Sequence, residues 1–135
     1  TNLDLLRNGQ LGQYTINTDI YKCPGDKSVN VRSYAMNNHM NGISFDQAGE
    51  VFKKTTQISR PSEFFVFIDE DIGTINDPLF RVDISANIGD RPASYHNRKG
   101  SLSFADGHVE AHRWSGGNSA ADREWLRDHT TERIR

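Results

Sequence analysis

Apolar and polar positions alternate most cleanly from Ser101 to His112, and Asp106-Gly107 divides that alternation in two. Asp-Gly between two such runs predicts a β-hairpin closed by a two-residue type I′ turn, whose central residues both take positive φ. The turn fixes a register: Ala105 faces His108, Phe104 faces Val109, Ser103 faces Glu110, Leu102 faces Ala111 and Ser101 faces His112. Leu102, Phe104, Val109 and Ala111 then share a core face, while Ser101, Ser103, His108, Glu110 and His112 share a solvated one. Asn97 to Gly100 reads as the loop leading in, with Gly100 in a backbone conformation that other residues avoid.

Phe64-Phe65-Val66-Phe67-Ile68 is the most hydrophobic run, which predicts a strand buried on both faces in the middle of a sheet. Asp69-Glu70-Asp71 follows as a solvated end. Upstream, Val29 to Met40 predicts a strand with Val29, Val31, Tyr34 and Met36 inward, and Phe52 to Ile58 a shorter one that stops before Arg60-Pro61. Leu3, Leu6 and Leu11 predict a short helix broken near Gly9, after which 14–21 crosses the surface. Residues 43–60 hold a turn at Gln47 to Glu50, and Ile72 to Ala93 is a long connection with a short element near Leu79 to Ile84. Past Trp114 and a Ser115-Gly116-Gly117 joint, Asn118 or Ser119 caps a helix with Asp122 in its first turn. Ala120, Ala121, Trp125 and Leu126 give that helix an apolar face, and it frays by His129 into a solvated tail. The order predicts an α+β domain: a short N-terminal helix on a small antiparallel sheet, long loops and a short C-terminal helix.

The 135 residues suit one domain, 1–135, with one modest core. A net charge of -2 and scattered basic residues give no electrostatic footprint for nucleic acid. Mean hydropathy is -0.71 and there is no long apolar run, so no segment of this sequence is suited to span a membrane. Thr1 to Arg7 reads as the interior of a helix, which predicts a longer protein of which this is the soluble part. Cys23 is the sole cysteine, so no internal disulfide forms. It reads as a small buried hydrophobe in a Cys-Pro turn, with no nearby His or Asp pattern to activate it.

Candidate chemistry is sparse. His108, Glu110 and His112 are chemically suited to zinc, but alternate residues on one strand stand about 7 Å apart, and a polar hairpin face explains them more simply. Asp69, Asp71 and Asp77 offer oxygen ligands for calcium, although the spacing is not that of an EF-hand loop; a solvated strand end is the simpler reading. His96 and Asp106 bracket one strand, roughly 30 Å apart if fully extended, and so do separate structural work: Asp106 shapes the turn, and His96 bonds backbone where the chain enters the sheet. No Gly-x-Ser-x-Gly elbow and no phosphate-binding glycine loop is present, so hydrolysis has no signature here.

One resemblance adds to this. His96, nine residues, then Asp106-Gly107 matches the signature of the prepilin-type processing-associated H-X9-DG proteins, pseudopilin-like subunits of bacterial type II secretion and type IV pilus-like systems. Tyr21-Lys22-Cys23-Pro24-Gly25-Asp26 resembles that family's Cys-Pro-x-Asp segment, and Ser33-Tyr34-Ala35-Met36-Asn37 its Ser-Tyr-x-Met-Asn segment. The matches cover roughly residues 3 to 114. The resemblance implies a pilin-like fold and a structural subunit with no catalytic residue and no required cofactor. His96, Asp106, Gly107, Cys23, Pro24, Tyr34 and Asn37 would carry its structure. It implies other pseudopilin subunits as partners, and an inner-membrane anchor helix, processed and methylated, that this sequence lacks. The domain would stand in the periplasm or, assembled, at the cell surface. Two other classes stay open: a secreted glycan- or protein-binding module using Tyr95, Trp114 or Trp125 as aromatic platforms, and a metal-dependent hydrolase.

Overall fold

The computed structural model describes residues 2–42, 47–85 and 88–134. The first residues of the 43–60 stretch (43–46), residues 86–87 of the long connection, and both ends of the chain (Thr1 and Arg135) lie outside them. Five strands form one sheet: β1 (Tyr34–Asn37), β2 (Phe65–Asp69), β3 (Leu79–Phe80), β4 (Lys99–Phe104) and β5 (Val109–Arg113). Their order is β3-β1-β2-β4-β5, with the aromatic run of β2 at the centre as its hydrophobicity predicts. The sheet is mixed, not purely antiparallel, because β3 pairs parallel to β1 while the other neighbours are antiparallel.

The hairpin forms, but its register differs by one residue from the expectation. Ser103 pairs with Val109, Leu102 with Glu110, Ser101 with Ala111 and Gly100 with His112. The cause is a three-residue loop, Ala105-Asp106-Gly107, closed by Gly107 N–H to Phe104 O at 2.9 Å and Phe104 N–H to His108 O at 2.9 Å. Only Gly107 takes positive φ, +95°, the pattern of a tight turn followed by a glycine bulge. The type I′ conformation instead occupies Asn97-Arg98, with φ of 53° and 64° and reciprocal backbone bonds between His96 and Lys99. With a side-chain period of two, the extra loop residue reverses β5: His108, Glu110 and His112 share the face of Leu102 and Phe104, and Val109 lies 68 % exposed on the other.

A similar shift explains β2. A bulge at Val66 lets Phe65 pair with Phe104, Phe67 with Ser103 and Ile68 with Leu102, so Phe65 and Ile68 point inward and Phe67 outward. The run is therefore not buried evenly on both faces. In β1 the buried positions are Ala35 and Asn37, with Tyr34 and Met36 only half-buried and Val29 exposed, the reverse of the expected face. Phe52 to Ile58 is not a strand; Phe52 makes one bridge to Met40, and Thr55–Gln57 is a 3-10 turn.

The inner face of the sheet packs Ala35, Ile68, Leu102 and Phe104 against Phe80, Val82, Trp114 and helix α2 (Ala120–Asp128), whose Leu126 is fully buried. Ser119 caps α2 by accepting from Asp122 N–H at 3.1 Å. Ala120 and Ala121 are exposed, and the inward residue of the first turn is Asp122, which accepts from Ser115 N–H and Gly117 N–H at 2.9 Å each. The chain after α2 is not a solvated tail: Thr130 and Thr131 are buried, and Glu50 N–H to Glu132 O and Ile134 N–H to Ala48 O hold it to 48–50. The N-terminal helix α1 (Leu3–Arg7) is five residues long with none buried, and it rests on the 3-10 turns Gly12–Tyr14 and Thr18–Tyr21 that follow it.

Gly100 is not a loop glycine. It lies buried in β4, where a Cβ would come within 2.3 Å of Ala93 O and 2.9 Å of Trp114 Nε1. The close approach, not backbone freedom, requires glycine. Gly100→Ala is expected to cost about 1–3 kcal/mol because backbone must move to admit the methyl group; a urea unfolding midpoint equal to wild type would contradict this.

Candidate functional site

Parts of the three sequence motifs, Cys23 to Asp26, Ser33-Tyr34 and His96, meet at the Asp69 end of β2, while Asn37 and Asp106-Gly107 lie at its Phe65 end. Cys23-Pro24 opens a turn in which Asp26 N–H bonds Cys23 O at 2.9 Å. Asp26, almost fully buried, accepts from Ser28 N–H and Ser33 Oγ at 2.7 Å each, and Ser33 Oγ accepts from Cys23 N–H at 3.0 Å. These bonds hold the Asp26 carboxyl below its ordinary range despite its burial, which acts the other way. The Cys-Pro-x-Asp turn is thus fastened to the start of β1. From there Asn37 ties three elements: Nδ2 donates to Phe65 O and Thr130 O, and Oδ1 accepts from His39 N–H and Thr130 Oγ1, at 2.8–3.0 Å.

Cys23 is fully buried, with its Sγ 3.0 Å from His96 Nε2 and 3.4 Å from Gly25 N–H. Asp69, the last residue of β2, completes a group in which one donor atom of each of Cys23, Asp69 and His96 lies within 4.8 Å of the others. Among the described residues this is the one set of three His, Cys, Asp or Glu donors so close. His96 is exposed and is held by the Asn97-Arg98 turn; Asp69 is 0 % exposed, and neither of its carboxylate oxygens has a hydrogen-bond partner within the described structure. Burial pushes the Cys23 thiol up, with Asp69 adding to it, so the sulfur stays protonated and unreactive near neutral pH. Burial likewise raises Asp69 to about 6, moderated by the Cys23 thiol and His96. Tyr34, opposite Asp69 on β1, is pushed up to about 12 by burial and then by Asp69 and Cys23.

The expected solvated end of β2 is therefore wrong for two of its three carboxylates. Glu70 is 1 % exposed with both oxygens unpartnered, and burial, reinforced by Asp90, raises it to about 8. The calcium candidates are not gathered: Asp71 pairs with Arg91 at 3.2 Å, and Asp77 accepts from Leu79 N–H at 2.8 Å.

Asp106 and His96 sit at opposite ends of β4, as the hairpin requires. Asp106 Oδ1 accepts from His108 N–H at 3.1 Å and lies 2.5 Å from His108 Nδ1, which holds the carboxyl below and the imidazole above their ordinary ranges. Glu110 lies 3.2 Å from His108 Nε2, whereas His112 is lodged between Trp114 and Trp125, ring centroids 4.3 and 4.1 Å away. The zinc candidates thus share a face, but each is engaged there with a different partner. Trp114 is 1 % exposed and Trp125 is flanked by His112 and His129, so neither presents a bare ring; Tyr95 is half-buried and its hydroxyl accepts from Ile72 N–H.

The outer sheet face carries a second feature, an apolar groove of about 460 Å³ between the N-terminal turns and the hairpin, lined by Leu11, Tyr14, Ile20, Tyr34, Phe67 and Val109. Sequence reasoning missed both the groove and the thiol, carboxylate and imidazole group. The pair Cys23 and His96 is 73 residues apart, and no local spacing encodes it. The one usable signal was that both belong to motifs of the same resemblance. The chain matches no family model, no curated protein and no solved structure.

Proposed function

We propose that this domain is a structural subunit of the pseudopilin type, which assembles with copies of itself or with related subunits into a fibre of a secretion or pilus-like system and catalyses nothing. The observation that supports this reading is the apolar groove on the outer sheet face, where Leu11, Tyr14, Ile20 and Val109 remain 50–77 % exposed. Apolar surface gathered along one face of a domain marks a contact surface. The motif residues fit the same reading, since Asn37, Ser33, Asp26 and Asp106 are engaged in holding turns and strands together. In this proposal an anchor helix precedes the domain, and the groove receives apolar surface of a neighbour in the fibre.

The test is chemical cross-linking of the full-length gene product in intact cells. A ladder of multimers is expected, and Val109→Asp should reduce it to monomer without altering the thermal melt of the domain. A monomer in both proteins, or a ladder indifferent to Val109→Asp, would count against a fibre subunit. Saturable glycan binding by that monomer would favour the binding-module alternative.

A further inference from the structure

The geometry points to a divalent transition-metal site, best suited to Zn²⁺, built from Cys23 Sγ, Asp69 carboxylate and His96 Nε2, with a fourth position left for water. This goes beyond the proposed structural role and does not depend on it. Three observations carry it. The donor atoms already lie within 4.8 Å of one another, and Sγ and Nε2 are 3.0 Å apart. Tetrahedral zinc with ordinary bond lengths to sulfur, nitrogen and oxygen sets its ligand atoms roughly 3.3–3.7 Å apart, so adjustments of about an ångström complete the site. Second, Asp69 is fully buried and neither oxygen has a partner at hydrogen-bond geometry, so its carboxylate relies on the nearby Cys23 thiol and His96, a costly arrangement for the protein alone. A metal ion supplies the missing partner. Third, the donor set matches the ion in charge and softness: one thiolate, one carboxylate and one neutral imidazole cancel a dication, as a buried site requires.

Calcium does not fit these ligands, because it takes six to eight oxygens and no thiolate. The site is held from outside the donor set. The Cys-Pro turn is fastened through Asp26 and Ser33, Gly25 N–H points at the sulfur, and the Asn97-Arg98 turn carries His96. A Cβ at Gly25 would lie 3.1 Å from Tyr95 Cβ and 3.3 Å from His96 Cε1, so a glycine there keeps the approach of His96 open. The exposed edge of His96 is the entry path. As the ion binds, the Cys23 thiol gives up its proton to solvent and the sulfur lone pair forms the metal bond. Asp69 enters as carboxylate, and His96 binds through the Nε2 lone pair with its proton on Nδ1.

Chelator-treated protein titrated with Zn²⁺ in a calorimeter should bind one equivalent and melt at a higher temperature when loaded. Co²⁺ in its place should give a thiolate-to-metal charge-transfer band. His96→Gln, compared with its own unloaded melt because it also loses the Nε2 contact to Cys23 Sγ, should weaken zinc binding at least 10-fold. Cys23→Ser should abolish the cobalt band, and equimolar Ca²⁺ should displace nothing. Absence of zinc binding in the folded wild-type protein, binding undiminished in His96→Gln, a cobalt complex without the thiolate band, or displacement by Ca²⁺ would each overturn the assignment.

Discussion

Asn37→Ala is expected to be the most destabilising single substitution in the motif segments, lowering unfolding free energy by about 3–5 kcal/mol. The side chain is fully buried and makes four hydrogen bonds, to Phe65 O, Thr130 O, Thr130 Oγ1 and His39 N–H. Truncation leaves all four partners without Asn37 in a region closed to solvent, and each such orphan costs about 1–3 kcal/mol, less what rearrangement recovers. The bonds join β1 to β2 and to the segment after α2, so the loss should appear as a single cooperative shift and not as fraying of one end. Chemical denaturation measures it. Asn118→Ala, at an exposed position beside the α2 cap, serves as control and should stay within about 0.5 kcal/mol of wild type. If Asn37→Ala matched that control, the wiring role of Asn37 would be refuted.

The second large effect is a fall of stability with rising pH, set by Glu70. Its carboxyl titrates at about 8 in the folded chain, against an ordinary 4.5, because burial disfavours the charged form; Asp90 and Asp77 add to the shift, and Thr74 and Arg32 oppose it. Between those two values the folded chain holds a proton that the unfolded chain has released, so stability declines as pH rises. The contribution is fully present below about 4.5 and lost on approach to 8, amounting at most to about 5 kcal/mol. Asp69, raised to about 6, works in the same direction over a lower window. Measured with a chelator present, the wild-type protein should be more stable at pH 5 than at pH 8. Glu70→Gln, which keeps the shape of the neutral acid, should flatten the upper part of that slope and stabilise the protein at pH 8. A wild-type profile flat from pH 5 to 8, or a slope unchanged in Glu70→Gln, would show that Glu70 is hydrated or paired in solution.

Both effects arise at residues whose importance the sequence discloses unequally. Asn37 belongs to a recognisable segment, although nothing in that segment tells that Thr130, 93 residues on, is its partner. Glu70 follows an apolar run in a cluster of three acids, and charge clusters at strand ends are ordinarily solvated. Here the chain from Pro92 bridges across Glu70, and Ala93 N–H bonds Asp69 O at 2.7 Å, so the connection that looked like open loop covers the acids.

Local chemistry alone determined several things about this protein. The aromatic and β-branched run made β2 the central strand, Asp-Gly made a hairpin, Ser119 with Asp122 made the start of α2, and Gly9 stood just beyond a short α1. Each depends on interactions spanning a few residues, which composition and spacing report directly. The tertiary structure decided what a single residue of offset can reverse. An extra loop residue before His108 and the bulge at Val66 chose which side chains face the core, because the face alternates with every residue while pairing energy is summed along whole strands. Only the fold, too, could bring Cys23, Asp69 and His96 together, since turn, strand end and hairpin entry meet through chain closure over distances that no local pattern records.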